Sequence, residues 1–324
     1  MKAVVYTEYG SPDVLQLKEV EKPNPKDDEV LIRIHAAAAN PLDWHNLRAS
    51  PFFVRFSEGL LKPKHIVLGA DIAGRVEAVG REVTQFKVGD EVFGDVGAGG
   101  FAEYVCSAEN QIAHKPANVS FEEAAAIPVA ALTALQGLRD HGQLRAGQKV
   151  LINGASGGVG TYAVQLAKVF GAEVTGVCST RNLGLVRSLG ADQVIDYTKA
   201  DFTRSGRRYN LILDAVGNLS AAAYKRALTP EGKAVVAGFT TLPRMVQVVL
   251  LGSIASRTSD RKIATMLAAV KQEDLVYLAR LLEQGQVKSV IDRCYPLADA
   301  PEALRYLETG RARGKVVIKV EHGD

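Results

Sequence analysis

The sequence predicts an α/β protein of two domains: a β-rich first part, then a doubly wound parallel sheet with helices between its strands. Three observations carry this. The chain has 324 residues, a length that suggests about two domains, each with its own core. Residues 1 to about 125 contain short apolar or alternating runs set apart by Pro, Gly, Asn and Asp, whereas from about Glu122 strand-like and helix-like patterns alternate. Finally, in QKVLINGASGGVGTYAVQLAKVF (148–170) an apolar strand run passes through a glycine turn into helical spacing.

In chain order, the first part is expected to form strands at Lys2–Tyr6, Val14–Val20, Val30–Ala37, Ile72–Val79, Glu91–Phe93 and Phe101–Cys106, with breaks such as KPNPKDD (22–28) between them. Glycine density rises in GDEVFGDVGAGG (89–100), which predicts tight turns. Ala124–Leu138 reads as a helix leading into the second part. There, strands are expected at Val150–Ile152, Glu173–Cys178, Asp192–Ile195, Asn210–Ala215 and Gly232–Gly238, with helices near Leu183–Leu189 and Ser220–Leu228. This is a Rossmann-type order of elements. Two helical stretches, Asp274–Glu283 and Ala298–Thr309, and a strand at Lys315–Val320 follow. Whether that last strand returns to the first sheet is open on this reading.

The glycine turn matches A-x-G-x-x-G at Ala155, Gly157 and Gly160, with alanine at the first glycine position and Ser156, Gly158 and Val159 between. Val159, Ala163, Leu166 and Phe170 then recur at helical spacing. Strand, turn and helix in this order are the context a dinucleotide fingerprint requires: glycines permit close approach of the backbone to a pyrophosphate, and the helix N-terminus offers N–H groups and a positive dipole end. The competing reading is an ordinary tight strand-to-helix turn.

Composition excludes several classes. The chain is 47% apolar and 23% charged with a net charge of +3, which leaves no footprint for nucleic acid and no polybasic stretch for a membrane. Cys106, Cys178 and Cys294 form no Cys-x-x-Cys pair, so neither a disulfide scaffold nor a cysteine metal site is expected, and a reducing compartment fits. The start, MKAVVYTEYG, lacks the apolar core of a signal peptide, and no apolar run reaches the eighteen or so residues of a membrane span. A cytoplasmic location is the expectation.

At this point the chain resembles the medium-chain dehydrogenase/reductases, in particular their zinc-free quinone oxidoreductase and alkenal/enone reductase branch. The resemblance rests on GADIAGRVEAVG (69–80), FKVGDEVFG (86–94), GGFAEYV (99–105), AAAIPVAALTAL (124–135), GASGGVG (154–160), LGADQVIDY (189–197) and GKVVI (314–318), and covers nearly the whole chain. It implies a GroES-like β domain at residues 1–125, with 266–324 returning to it, and a Rossmann domain at 126–265. It also implies an active site in the cleft between them.

An NAD-specific site usually has an acid at the end of the second strand, about twenty residues past the glycines. Here Cys178 takes that place, followed by Ser179, Thr180 and Arg181. Hydroxyls and a guanidinium accept a 2′-phosphate that a carboxylate would repel, so NADPH is expected. The resemblance adds Tyr197 near the adenosine end, and Thr133, Val159 and the Gly238-Phe239-Thr240 turn near the nicotinamide. Packing roles compete for Thr133 and Phe239.

In zinc-dependent members a Cys and a Gly-His-Glu supply metal ligands. This chain has Asn40 and Gly69-Ala70-Asp71 there, its histidines show no ligand spacing, and no metal is expected. Without a Lewis acid a simple ketone is a poor hydride acceptor, whereas a quinone or an α,β-unsaturated carbonyl spreads the arriving charge. In NPLDWHNLR (40–48), Asn40 is the candidate N–H donor to the developing oxyanion, Arg48 adds positive charge, Asp43 orients either, and Trp44 walls the pocket. The alternative is a plain turn with Asp43 as a helix N-cap. The resemblance implies Lys315 near the cofactor, and the favoured competing reading is a solvated charge at a strand start. Leu242–Ser253 is apolar enough for a homodimer contact, a lid or a core helix. The expected activity is therefore NADPH-dependent reduction of a conjugated carbonyl or quinone. A 2-enoyl thioester reductase and a non-catalytic NADPH-binding regulatory or scaffold protein are the alternatives.

Overall fold

A computed structural model describes residues 1–239, 241, 243–244, 246–248 and 260–322. The chain folds into two compact units, Met1–Ala130 with Val270–Asp324, and Ala131–Ala269.

The first unit is a GroES-like β domain. It holds β1 (Lys2–Val5), β2 (Gln16–Glu19), β3 (Glu29–Ala39), β4 (Asp71–Val79), β5 (Glu91–Asp95), β6 (Tyr104–Ala108) and β7 (Ile112–His114). The second unit holds β8 (Lys149–Asn153), β9 (Glu173–Cys178), β10 (Gln193–Asp196), β11 (Tyr209–Asp214), β12 (Leu228–Val236) and β13 (Lys262–Thr265); β14 (Ile291–Pro296) and β15 (Lys315–Lys319) belong to the first.

In the first unit β14, β15, β3, β4, β5 and β7 lie side by side in that order, and β6 pairs with β3. β15 runs antiparallel to β3 with Val316 opposite Ala39, which answers the question the sequence left open: the C-terminal strand does return, and it sets Lys315 beside Asn40. The core of this unit interleaves Ile32 and Ile34 with Val92, Phe101, Ile112, Leu304 and Ile318, so residues from both ends of the chain bury one apolar face.

The second unit is a Rossmann sheet. Its order is β10-β9-β8-β11-β12-β13 and every neighbour is parallel. Val150, Leu151 and Ile152 are fully buried, as expected for a strand covered on both faces. The order reverses at β8, so the ends of β8 and β11 flank the position where doubly wound sheets bind ligands.

Three strands escaped the sequence reading, and the physical reason is the same for two. β13 and β14 are edge strands with mostly exposed or half-buried residues, so neither shows a buried apolar run; β7 is only three residues long. The single helix expected at Ala124–Leu138 is two, Phe121–Ala125 and Pro128–Gln136, followed by a π-type turn at Gly137–His141. Pro128 lacks the N–H that would continue the first helix and begins the second. Among the described residues no helix is long and apolar enough to cross a membrane. The stretch Leu242–Ser253 falls largely outside the described residues, as does Thr240.

Candidate functional site

The glycine turn follows β8 in the second unit. Gly154 takes φ +81, so the left-handed residue of the turn is Gly154 rather than the fingerprint's first position. This is why Ala155 is tolerated there: it is fully buried, and its N–H donates to Val177 O of β9 at 3.0 Å. Gly157 is the N-cap of the helix Gly158–Val169 and offers no side-chain cap, which leaves the first-turn N–H groups around Gly158, Val159 and Gly160 for an anion. A Cβ on Gly160 would lie 2.1 Å from Gly154 O, so only glycine lets the helix pack against the turn; one on Gly157 would meet only Gly154 O, at 3.5 Å.

Parallel strand ends bring the remaining nucleotide candidates together. Ser179 follows β9, Arg181 is exposed two residues later, and Tyr197, 61% exposed, follows β10 with its N–H on Cys178 O. Asn182, not anticipated from sequence, donates from Nδ2 to Ser156 Oγ at 2.9 Å. Its Oδ1 is buried with no partner among the described residues. An uncapped helix start and an orphaned buried oxygen beside it fit a bound dinucleotide. Asp196 ends β10 and accepts from the Thr180 and Thr198 hydroxyls, a carboxylate next to the proposed phosphate end.

A second residue missed by sequence is Asp214. It is fully buried at the end of β11 and accepts from Asn153 Nδ2, the Val216 and Gly217 N–H groups and the Tyr224 hydroxyl (2.6 Å). Burial pushes its carboxyl up, and these bonds pull the other way. The network holds the turn 215–217 against Gly154, whose Cβ would sit 2.8 Å from Val216. Gly238 packs on the same turn, Phe239 is half-buried against the second unit's core, and Thr133 is half-buried on the helix Pro128–Gln136.

In the first unit, Asn40 follows β3, is the N-cap of the helix Pro41–Arg48 and is 2% exposed. Asp43 is the third residue of that helix rather than its cap; it accepts from the Asn40 N–H at 2.7 Å and the Gly69 N–H at 3.0 Å. The Asn40 side chain is fully engaged. Nδ2 donates to Ala38 O (3.2 Å) and Asp71 Oδ2 (2.9 Å), and Oδ1 accepts from Lys315 Nζ (2.5 Å). Both amide N–H groups thus have acceptors within the first unit.

Lys315 corrects a second expectation. It is not solvated: it is 2% exposed, pairs with the fully buried Asp71 at 2.9 Å and reaches Asn40. Asp71 also accepts from the Val129 N–H at 2.8 Å. The signal was present in sequence, since Gly314-Lys315-Val316-Val317 leaves one charge inside an apolar strand, but a charge with no visible partner reads as exposed. Arg48 lies outside this cluster. Its guanidinium pairs with Glu308 and its side chain is 39% exposed. Trp44 is half-buried and stacks on His45 at 3.7 Å.

The electrostatics of the cluster follow from burial. Burial, then the neighbouring Asp71, push the Asp43 carboxyl up to about 7 against its two backbone bonds. Asp95, opposite Asp71 across β4 and β5, is pushed up to about 6, again mainly by burial. Lys315 is the cation these carboxyls share. Among the described residues no group of three or more His, Cys, Asp and Glu is arranged to hold a metal ion.

Known proteins agree with this architecture. The family described as alcohol dehydrogenase GroES-like domain matches residues 26–117, and zinc-binding dehydrogenase matches 189–318. The chloroplastic quinone-oxidoreductase QR1 of Triphysaria versicolor is 37% identical, over 98% of both chains. The chain belongs to the medium-chain dehydrogenase/reductase superfamily, in its quinone and enone reductase branch. Another member, the chloroplastic NADPH-dependent alkenal/one oxidoreductase of Arabidopsis thaliana, is 38% identical over 98% of this chain and 79% of its own length. A solved structure of the quinone oxidoreductase from Coxiella burnetii superposes with a TM-score of 0.87 at 32% identity, covering 99% of each chain. Like other members of the superfamily, this chain is an oxidoreductase that uses a nicotinamide cofactor.

Proposed function

We propose that the protein is a zinc-independent, NADPH-dependent reductase of quinones or α,β-unsaturated carbonyls. The observation that carries this is the Asn40–Asp71–Lys315 network, which fills with an ion pair the positions that resemble the zinc-ligand positions of metal-dependent relatives. The names of relatives, quinone oxidoreductase and alkenal/one oxidoreductase, support the acceptor class.

When bound, the nicotinamide supplies hydride. The residues of this chain hold and polarise. In the second unit the turn at Ala155–Gly160 supports the pyrophosphate, Ser179 and Arg181 favour the 2′-phosphate, and Tyr197 lies toward the adenosine, with Thr133, Gly238 and Phe239 toward the nicotinamide. In the first unit Lys315 spends two of its three N–H groups on Asn40 and Asp71. A fixed ammonium in a site of low dielectric favours negative charge developing on an acceptor oxygen without a metal. Asn40 and Asp43 are then positioning residues: Asn40 orients Lys315, and Asp43 holds the Asn40 backbone and Gly69.

The test follows nicotinamide oxidation with a chelator present, offering NADPH and NADH against a quinone, an enone, a 2-alkenal, a 2-enoyl thioester and a simple ketone. Chelator-resistant turnover of quinone or enone with NADPH, and none of the ketone, is expected. Cofactor binding without turnover of any acceptor overturns the reading in favour of a regulatory protein, and preference for the thioester in favour of an enoyl reductase. Arg181→Ala should cut the preference for NADPH over NADH about tenfold, the worth of one charge-assisted contact. An unchanged ratio would remove Arg181 from the site.

A further inference from the structure

The segment joining the helix Pro41–Arg48 to β4 carries most of the large apolar side chains that the first unit exposes. Phe52, Phe53, Phe56, Leu60, Leu61 and Ile66 all lie open within fifteen residues, with Leu61 85%, Phe56 76% and Phe52 63% exposed. An apolar cluster of this density on a water-facing surface marks an interaction site.

The segment has a defined shape. Tyr9 Oη donates to Gly59 O at 2.6 Å, the Lys64 N–H to Glu58 O at 2.6 Å, and the Tyr6 N–H to Ile66 O at 2.9 Å. Gly59 takes φ +116, and a Cβ there would lie 2.2 Å from Lys62 O, so Leu60 and Leu61 ride the tip of a closed turn. Phe52 and Phe56 meet edge to face at 6.1 Å. Backbone bonds and an aromatic pair therefore hold the apolar side chains outward instead of letting them fold onto the body.

Charge selects the occupant. Within residues 52–66, Arg55, whose guanidinium lies over the Tyr9 and Phe52 rings, and the exposed Lys62 and Lys64 stand against Glu58, three cations to one anion. Phenylalanine and leucine beside lysine is the composition of segments that lie in a membrane interface, where apolar side chains enter the acyl boundary and cations meet anionic headgroups. Two copies of this chain meeting through the same face would bring like charges together.

We propose that the turn Phe52–Ile66 is a peripheral docking surface for an anionic lipid bilayer. The surface rests on no feature of the reductase reading, and binding is measured without turnover. The experiment is co-sedimentation of the purified protein with phosphatidylcholine vesicles, and with vesicles in which about a third of the lipid is phosphatidylglycerol, at physiological salt. Binding to the anionic vesicles is expected, with little to the neutral ones. Phe56→Ser with Leu61→Ser should weaken it at least tenfold, and Lys62→Glu with Lys64→Glu should abolish the preference for anionic lipid. All four side chains are exposed, so an unchanged circular dichroism spectrum accompanies each variant. Wild-type protein that stays in solution with anionic vesicles overturns the proposal, as does binding that the Phe56/Leu61 variant retains in full. Concentration-dependent self-association without lipid, lost in that same variant, overturns it in favour of a second copy.

Discussion

The glycine turn and the buried ion cluster both sit at the ends of strands, yet they are put together in opposite ways. Gly154 to Gly160 are consecutive, and their geometry follows from local chemistry: a left-handed glycine, an N-cap without a side chain, a helix that can pack only on a residue lacking Cβ. Asn40, Asp71 and Lys315 are separated by 31 and by 244 residues, and meet because β15 pairs with β3 and β3 with β4. A site of the first kind tolerates changes elsewhere and fails when one of its own backbone positions is altered. A site of the second kind depends on mutual neutralisation, so removing one partner leaves the others charged and dry.

The largest effect is therefore expected at Lys315. Lys315→Met removes the cation paired with the fully buried Asp71, and should destabilise the first unit by about 3–5 kcal/mol in denaturant unfolding. Adding Asp71→Asn should restore most of that stability. If turnover also returns in the double variant, Lys315 is structural and the polarising role is wrong; if stability returns while kcat stays low, that role is sharpened. Gly160→Ala comes next. Its Cβ meets Gly154 O, and overpacking costs about 1–3 kcal/mol, so cofactor affinity by calorimetry should fall about tenfold or more while the unfolding of the first unit stays put. An unchanged affinity would break the picture of a turn fixed by backbone contact.

Acidity separates the two regions further. The folded Asp43 carboxyl keeps its proton up to about 7, whereas the ordinary value is 3.8. Between those values the folded state binds more protons than the unfolded one, so this contribution to stability is full below about pH 4 and is lost as pH rises through 7. Its slope is at most about 1.4 kcal/mol per pH unit. Asp95, pushed up to about 6, acts in the same sense. Urea midpoints of the wild type should fall from pH 5 to pH 8, and Asp43→Asn should flatten that fall; an equal fall in the variant would place the titration elsewhere. The smallest effect is expected at Arg48, whose exposed pair with Glu308 is worth at most about 1 kcal/mol. Arg48→Ala should leave kcat within about twofold. A larger loss would bring Arg48 into the site despite its pairing with Glu308 outside the cluster.

The sequence by itself determined what short-range chemistry determines. Val150–Ile152 had to be a covered strand, the alternation after Glu122 had to give parallel crossovers, and Ala155–Gly160 had to make a turn that a pyrophosphate can approach. Nine residues, Asn40–Arg48, which form the helix Pro41–Arg48 with its N-cap, were legible as a candidate segment for the site. Their roles within it were not, because donor capacity depends on which acceptors the fold brings near: Ala38 O and Asp71 consume the Asn40 amide, and Glu308 takes Arg48. Asn182 and Asp214 were invisible for the same reason, each being an ordinary polar residue until the turn after β8 supplies Ser156 or the helix Ala221–Ala227 supplies Tyr224. Only the tertiary structure decided that Lys315 is buried. Taking an ammonium out of water is tolerable only against a carboxylate already fixed in place, and pairing β15 with β3 puts Asp71 there.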